Sequence, residues 1–461
     1  MHPNKKKLII SENCTIRDAM NILNDMPLGI VMLIESNQKL VGVVTDGDIR
    51  RALLKGFSME SSISKIMNKK PIVIQEGYNK NKALRKFSCN IKQIPVVNSE
   101  MEVVNLLLYS ELCNIQNNVN NITVRARAPL RISFAGGGTD VDSYIEDNGA
   151  VVLSTTINKY CFGTLRKRDD ERIIISSRDY GAHIEINNLH SIKYDGNLDL
   201  LKAVIRLMQP NFGMELNFQS DVLPGTGLGG SATTASVAAG LLNHVREDKL
   251  DEYQLAEIAF QAERVELGIA GGWQDPYASV FGGFNFIEFK SDDVVVHPLK
   301  IKEETLNELE CSFLLCFTGQ TRNSGDIHQR QLKAHISKNK VVTEALEKTS
   351  LFAVKMKEAL LKGDLLKFGK LLHEAWLVKK QFDKNISNSL IDKLYETGIN
   401  AGSIGGKVLG AGGGGYILFF CPHLTKPDVA NALESIGGAI MDFNFDFIGL
   451  QTWMVREYDR C

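Results

Sequence analysis

The sequence predicts an α+β protein of more than one domain, and three observations carry that reading. Runs rich in β-branched residues, such as Val151–Ile157 and Arg172–Ser177, alternate along the chain with stretches of helical period such as Leu250–Gly268. Residues 114–121 hold five asparagines, the composition of a linker. Ahead of them a helix–strand–strand–helix pattern recurs at a spacing of about 64 residues. The expected division is a first domain pair over 1–113, a linker at 114–121, and a body with lobes over 122–300 and 301–461.

In the first segment, Thr15–Met20 starts a helix, the strand Gly29–Ile34 follows, then the stretch Leu40–Ile49 as the second strand, and Ile49–Leu54 is a second helix. The order returns around Ala83, Ile94–Val97 and Met101–Val104. One such unit leaves an apolar face uncovered, and two can cover each other. This repeat resembles a tandem pair of cystathionine-β-synthase (CBS) domains. The resemblance implies an adenine-nucleotide ligand held by Thr45 and Asp48 of Thr45-Asp46-Gly47-Asp48, whose hydroxyl and carboxylate would meet the ribose. Leu108 and Glu111 stand at the matching positions of the second repeat, so the expectation concerns the first repeat alone.

In the body, Thr123–Ala135 reads as a strand. The stretch Pro224-Gly225-Thr226-Gly227-Leu228-Gly229-Gly230-Ser231-Ala232 is the most telling, with four glycines in the six positions 225–230. Glycine forgoes side-chain burial and costs backbone entropy, so a cluster of this density points to a backbone that a ligand approaches closely. The small residues from Ser231 onward continue as a helix. A glycine loop feeding a helix N-terminus offers unpaired N–H groups and a favourable dipole to phosphate. Gly225, Gly227 and Gly230 also fit G-x-G-x-x-G, but Pro224 spoils the strand that a dinucleotide fold places before it. The Walker A pattern is absent too, since Val408 follows Gly406-Lys407. Leu250–Gly268 has apolar residues at Leu255, Ile258, Ala262 and Val265, with Asp251 and Gln254 as its capping box. Glu263 on that helix offers a carboxylate, with Glu266 as its competitor, and Asp275 follows Gly271-Gly272-Trp273-Gln274 at a loop or helix entry.

Three segments in order, Arg127–Asp140, Pro224–Ala232 and Gly405–Tyr416, resemble the three motifs of the GHMP small-molecule kinases over roughly residues 122–461. Ala135-Gly136-Gly137-Gly138-Thr139-Asp140, Thr318–Arg322 and Gly449–Trp453 are similar to the D-glycero-D-manno-heptose 7-phosphate kinases within that superfamily. The resemblance implies a ribosomal-protein-S5-like lobe followed by a ferredoxin-like lobe. It also implies ATP on Pro224, Gly225, Gly227, Leu228, Gly229, Gly230, Ser231 and Ala232, and Mg²⁺ on Ser231 and Glu263. Asp275 would be the catalytic base, with Arg131 as its basic partner. Gly137, Gly138, Thr139, Asp140, Arg322, Lys379, Gly413 and Gly414 would meet the sugar phosphate, and Lys407 with the third glycine run would close the site.

Composition narrows the alternatives. The 461 residues are 44% hydrophobic and 23% charged with a formal net charge of −1, which gives no electrostatic case for nucleic acid or an anionic membrane. Leu8-Ile9-Ile10 after Lys5-Lys6-Lys7 is too short an apolar run for a signal peptide, and eight scattered cysteines without a C-x-x-C pair fit a reduced cytoplasmic protein. The expected function is ATP-dependent phosphorylation of the anomeric hydroxyl of a sugar phosphate, D-glycero-D-manno-heptose 7-phosphate to its 1,7-bisphosphate. A kinase for a free sugar such as fucose and a non-catalytic nucleotide or sugar sensor are the alternatives, and a homodimer is a candidate assembly.

Overall fold

The computed structural model of the protein describes residues 7–26, 28–78, 83, 86, 87, 91–108, 123–291, 293–321 and 340–455. Two compact units divide the chain, 1–119 and 120–461. The first contains β1 (Ile9–Ser11), α1 (Ile16–Asp25), β2 (Ile30–Ile34), β3 (Leu40–Thr45), α2 (Asp46–Leu54), β4 (Ile74–Gln75), β5 (Gln93–Val97) and β6 (Val103–Leu108). β1 lies parallel to β2 and β2 antiparallel to β3. β4, β5 and β6 repeat the same arrangement. Leu8, Met32 and Val43 share a core with Val97 and Leu106, so the two repeats bury their faces on each other.

The second unit opens with β7 (Thr123–Ala135), α3 (Asp142–Asn148), β8 (Ala150–Lys167), β9 (Ile173–Ser177), β10 (Ala182–Ile186), α4 (Asp199–Met208), β11 (Met214–Ser220) and α5 (Gly230–Val245). It continues with α6 (Glu252–Phe260), a π turn (Gln261–Glu266), α7 (Gln274–Phe281), β12 (Asn285–Lys290) and β13 (Asp293–Pro298). β7 to β13 form the bulk of a nine-stranded sheet in which β8 is the long central strand, paired with β7, β11 and β12. α5 is buried along almost its whole length, and its Ala235, Val237, Ala238 and Leu241 carry the packing. Such a helix, apolar on all sides, is stable only inside a core.

A second, four-stranded antiparallel sheet follows. Its elements are α8 (Glu303–Ser312), β14 (Phe313–Phe317), α9 (Lys340–Lys362), α10 (Leu365–Lys379), α11 (Ser389–Asn400), β15 (Gly405–Val408), β16 (Tyr416–Phe420), α12 (Lys426–Ser435) and β17 (Ala439–Met441), in the strand order β15-β16-β14-β17. Phe134 at the end of β7 joins the two sheets, with its ring 5.6 Å from Phe313 and 5.3 Å from Phe368. The last strands, β18 (Phe445–Asp446) and β19 (Gln451–Met454), pair with β8 and β7. The lobe expected over 301–461 therefore returns its final strands to the first sheet, where β19 covers an edge of β7 that would otherwise be unpaired.

The helix expected over Leu250–Gly268 is interrupted. The Asp251–Gln254 capping box forms as read, but after Phe260 the backbone widens into the π turn. A π turn takes up one extra residue and slips the side-chain phase. Val265, expected on the buried face, is 70% exposed, while Glu263 is 5% exposed. The slip that turns an apolar residue outward turns a carboxylate inward.

Candidate active site

One cleft of the second unit is lined by all three glycine-rich segments. α5 begins at Gly229, whose left-handed backbone (φ +79°) leads into the helix with no side chain capping its first turn. The leading N–H groups of a long helix thus face the cleft with nothing from the chain in the capping position, which suits an anion. A Cβ built on Gly230 would meet nothing within 4 Å, so open space lies in front of this turn. Gly225, Thr226, Gly227, Gly229, Gly230, Ser231 and Ala232 line the cleft; Leu228 is fully buried in the core and Pro224 lies off the wall.

Ser231 Oγ donates to Glu263 Oε1 at 2.7 Å, and the other carboxylate oxygen faces Arg264 at 3.2 Å. Glu266 is committed elsewhere, accepting from the Tyr194 hydroxyl at 2.6 Å and pairing with Arg206. Among the described residues no group of three or more His, Cys, Asp or Glu gathers to hold a metal. A hydroxyl and one carboxylate beside a phosphate-accepting turn nevertheless fit Mg²⁺, which takes few protein oxygens and completes its shell with phosphate and water.

In the same cleft, Arg131 on β7 forks onto Asp275 in the first turn of α7. Its Nε reaches Oδ1 at 2.7 Å, one Nη reaches Oδ2 at 2.8 Å, and the other Nη donates to the Gly227 carbonyl at 2.6 Å. Such a bidentate pair fixes both planes. The same guanidinium ties the carboxylate to the glycine loop.

Lys379, at the end of α10, is buried and donates to the Gly410 carbonyl. Burial, and then the nearby charge of Arg131, push its ammonium down to about 8, against the opposite pull of Asp140 and Asp275. Lys407 lies deeper and donates to the Phe134 carbonyl at 2.9 Å; burial, with Lys379 and Arg131 nearby, holds it well below its usual range. Gly137, Gly138, Asp140 and Gly414 line the cleft, whereas Thr139 turns its hydroxyl to the Gly136 carbonyl and Gly413 donates to the Ile386 carbonyl. Arg322 lies outside the described residues.

Thr45 and Asp48 belong to the other unit. Thr45 Oγ1 and Asp48 Oδ2 lie 2.7 Å apart as the capping box of α2, and Arg51 pairs with Asp48 at 2.6 Å. Gly412 of the third glycine run lines the cleft, as do Ser133, Arg264, Gly272, Gln274 and Leu409 to Ala411, to which the sequence assigns no role. Ser133 lies in the first of the three segments and Gly272 and Gln274 directly before Asp275, but nothing in their residue type marks a role, and an arginine on a helix carries no signal of its own.

The chain is similar to known proteins. Residues 199–283 match the GHMP kinases N terminal domain, 356–438 the GHMP kinases C terminal model, and 3–55 the CBS domain. The D-glycero-alpha-D-manno-heptose 7-phosphate kinase of Campylobacter jejuni is 36% identical over 342 residues, which is 72% of this chain and 99% of that protein. The bifunctional fucokinase/GDP-fucose pyrophosphorylase of Arabidopsis thaliana is 27% identical, over 66% of this chain and 30% of its own length. The crystal structure of a D-glycero-D-manno-heptose 1-phosphate kinase from Bacteroides thetaiotaomicron superimposes with a TM-score of 0.62 at 31% identity, covering 72% of this chain and all of that one. Among the described residues no helix is long and apolar enough to cross a membrane.

Proposed function

The chain belongs to the GHMP kinase family as a sugar kinase with a CBS domain at its N-terminus, and from that premise we propose that it transfers the γ-phosphoryl group of ATP to the anomeric hydroxyl of D-glycero-D-manno-heptose 7-phosphate, giving the 1,7-bisphosphate and ADP. The observation that carries the reading is the Arg131–Asp275 fork set in one cleft beside the uncapped start of α5. A proton acceptor and a phosphate seat in one cleft are what phosphoryl transfer to an alcohol requires.

The first turn of α5 and the backbone of Gly227 to Gly230 bind the phosphates, and Ser231 with Glu263 would hold Mg²⁺. When bound, that ion supplies charge neutralisation on the phosphate oxygens. Asp275 takes the proton from the anomeric hydroxyl as its oxygen bonds to the γ-phosphorus and the bond to the β,γ-bridging oxygen breaks. Arg131 balances the charge of Asp275 and faces the developing charge of the transferred group. Lys379 supplies a positive charge on the acceptor side. The 36% identity to the Campylobacter jejuni enzyme across 99% of its length supports the choice of acceptor. A panel of sugars and sugar phosphates with ATP and Mg²⁺, read by ADP release, tests it. The heptose 7-phosphate should give the highest kcat/KM; a higher value for fucose, or no turnover of any sugar, would overturn the proposal.

A further inference from the structure

The cleft contains two polar atoms that the protein itself leaves without partners. Ser133 on β7 is 4% exposed, Gln274 at the start of α7 is 7% exposed, and neither Ser133 Oγ nor Gln274 Oε1 has a hydrogen-bond partner. Buried oxygens are almost always paired, so two orphans on the wall of one cleft call for a ligand or an ordered water that supplies the missing bonds. The two side chains flank Gly137: a Cβ there would lie 3.0 Å from Gln274 Nε2, 3.2 Å from Ser133 Oγ and 3.9 Å from Gln274 Cδ, so its bare Cα leaves room beside both.

Asp140 fixes which end of the Gln274 amide faces outward. Its carboxylate is fully buried and takes three N–H donors: Gly138 N on Oδ1 at 2.8 Å, and Gln274 N and Nε2 on Oδ2, both at 3.0 Å. Reversing the amide would set its oxygen against Oδ2, so the NH₂ end stays on Asp140 and Oε1 is the end left without a partner. An amide oxygen only accepts, and therefore repels a phosphate and pairs with a hydroxyl.

We infer that Gln274 Oε1 and Ser133 Oγ read hydroxyl groups of the sugar, and that Asp140 is a positioning residue which acts through Gln274 and does not itself touch the sugar. The inference rests on the sugar-kinase reading and deepens it. It sets the hydroxyl-bearing part of the acceptor against Gly137, Ser133 and Gln274, and its anionic part toward Lys379. A site built around unpaired acceptors discriminates strongly against analogues that lack the matching hydroxyl.

The test measures heptose 7-phosphate in two ways: steady-state kinetics, and calorimetric binding in the presence of a non-hydrolysable ATP analogue. Gln274→Met and Ser133→Ala should each weaken binding and raise the sugar KM by about 10-fold with the KM for ATP close to wild type; Ser133→Ala should also keep the wild-type melting temperature, whereas Gln274→Met also takes a donor from the buried Asp140 carboxylate. A set of singly deoxygenated sugars should include one that the wild type disfavours and that Gln274→Met treats like the parent. Asp140→Asn should raise the sugar KM and add little to Gln274→Met in the double variant, as residues acting through one contact do. If Gln274→Met does not fold, Ser133→Ala and the deoxy series on the wild type carry the test. Unchanged sugar affinity in the variants, or no sugar binding by the wild type, overturns the inference. Turnover with insensitive variants would leave the kinase reading standing without it, and sensitive binding without turnover would do the reverse.

Discussion

At the scale of single residues, the proposed transfer turns on Asp275. Asp275→Asn keeps the shape of the Arg131 contact and removes the proton acceptor, so kcat should fall by about 10²–10⁴ while ATP affinity stays near wild type. A variant retaining half of wild-type kcat in single-turnover assays would remove Asp275 from the role of base. Lys379 gives a second expectation. Its ammonium, pushed down to about 8 by burial and by Arg131, is charged below that pH and neutral above it. If its charge holds an anionic group of the acceptor, kcat/KM for the sugar should decline as pH rises through 8, and Lys379→Met should be lower but flat across that window. A decline of equal size in Lys379→Met would assign the limb to another group. That Arg131, Ser231 and Asp275 belong to one cleft was legible in the sequence, because they sit in ordered motifs dense in glycine. Ser133 and Gln274 were not, because what marks them is a missing hydrogen bond, and a missing bond exists only in three dimensions. Asp140 was legible as a carboxylate after a glycine run that would meet the sugar, but its burial and its partners were not.

At the scale of elements, the strand β7 and the capping box of α6 follow from period and composition, and both form as read. The π turn does not follow, since helical periodicity assumes the α-helical hydrogen bond throughout. That turn carries Glu263 toward Ser231, so the pair should act together. Ser231→Ala and Glu263→Gln should each raise the Mg²⁺ concentration needed for half-maximal activity, and unchanged half-saturation in both would remove them from the metal shell. The glycine loops carry a second expectation. They interlock backbone to backbone: a Cβ on Gly415 would lie 2.2 Å from the Thr226 carbonyl, and one on Gly227 2.6 Å from the Leu409 carbonyl. Tyr416 N also donates to Thr226 O at 3.1 Å. Gly415 has φ +84°, so Gly415→Ala suffers both the clash and the backbone strain. It should raise the KM for ATP by at least about 10-fold and cost about 1–3 kcal/mol of stability in a denaturant titration. Wild-type values for both would show that the two loops slide freely past one another.

At the scale of the whole molecule, two units with separate cores predict separable behaviour. A chain beginning near Asn121 should fold and phosphorylate sugar, and residues 1–118 should bind an adenine nucleotide through Thr45 and Asp48. Calorimetry with AMP, ADP and ATP checks the second claim, and the absence of heat or thermal shift with all three would reduce the unit to an assembly module. Regulation would further require that the ligand favour one kinase conformation over another. The division of the chain was legible in the asparagine run, and the repeat in its 64-residue spacing. The return of residues 445–454 to the first sheet was not, because a short strand at the far end of a chain carries no sign of its partner. That return has a topological meaning. Val455 N donates to the Thr123 carbonyl at 2.8 Å, so the start and finish of the described body are neighbours and the polypeptide forms a closed circuit. Such a circuit has no obligatory beginning. A short peptide joining Val455 to Thr123 would bridge almost no distance, and the chain would be free to open instead at a surface turn such as Gly181, with every sheet partner kept.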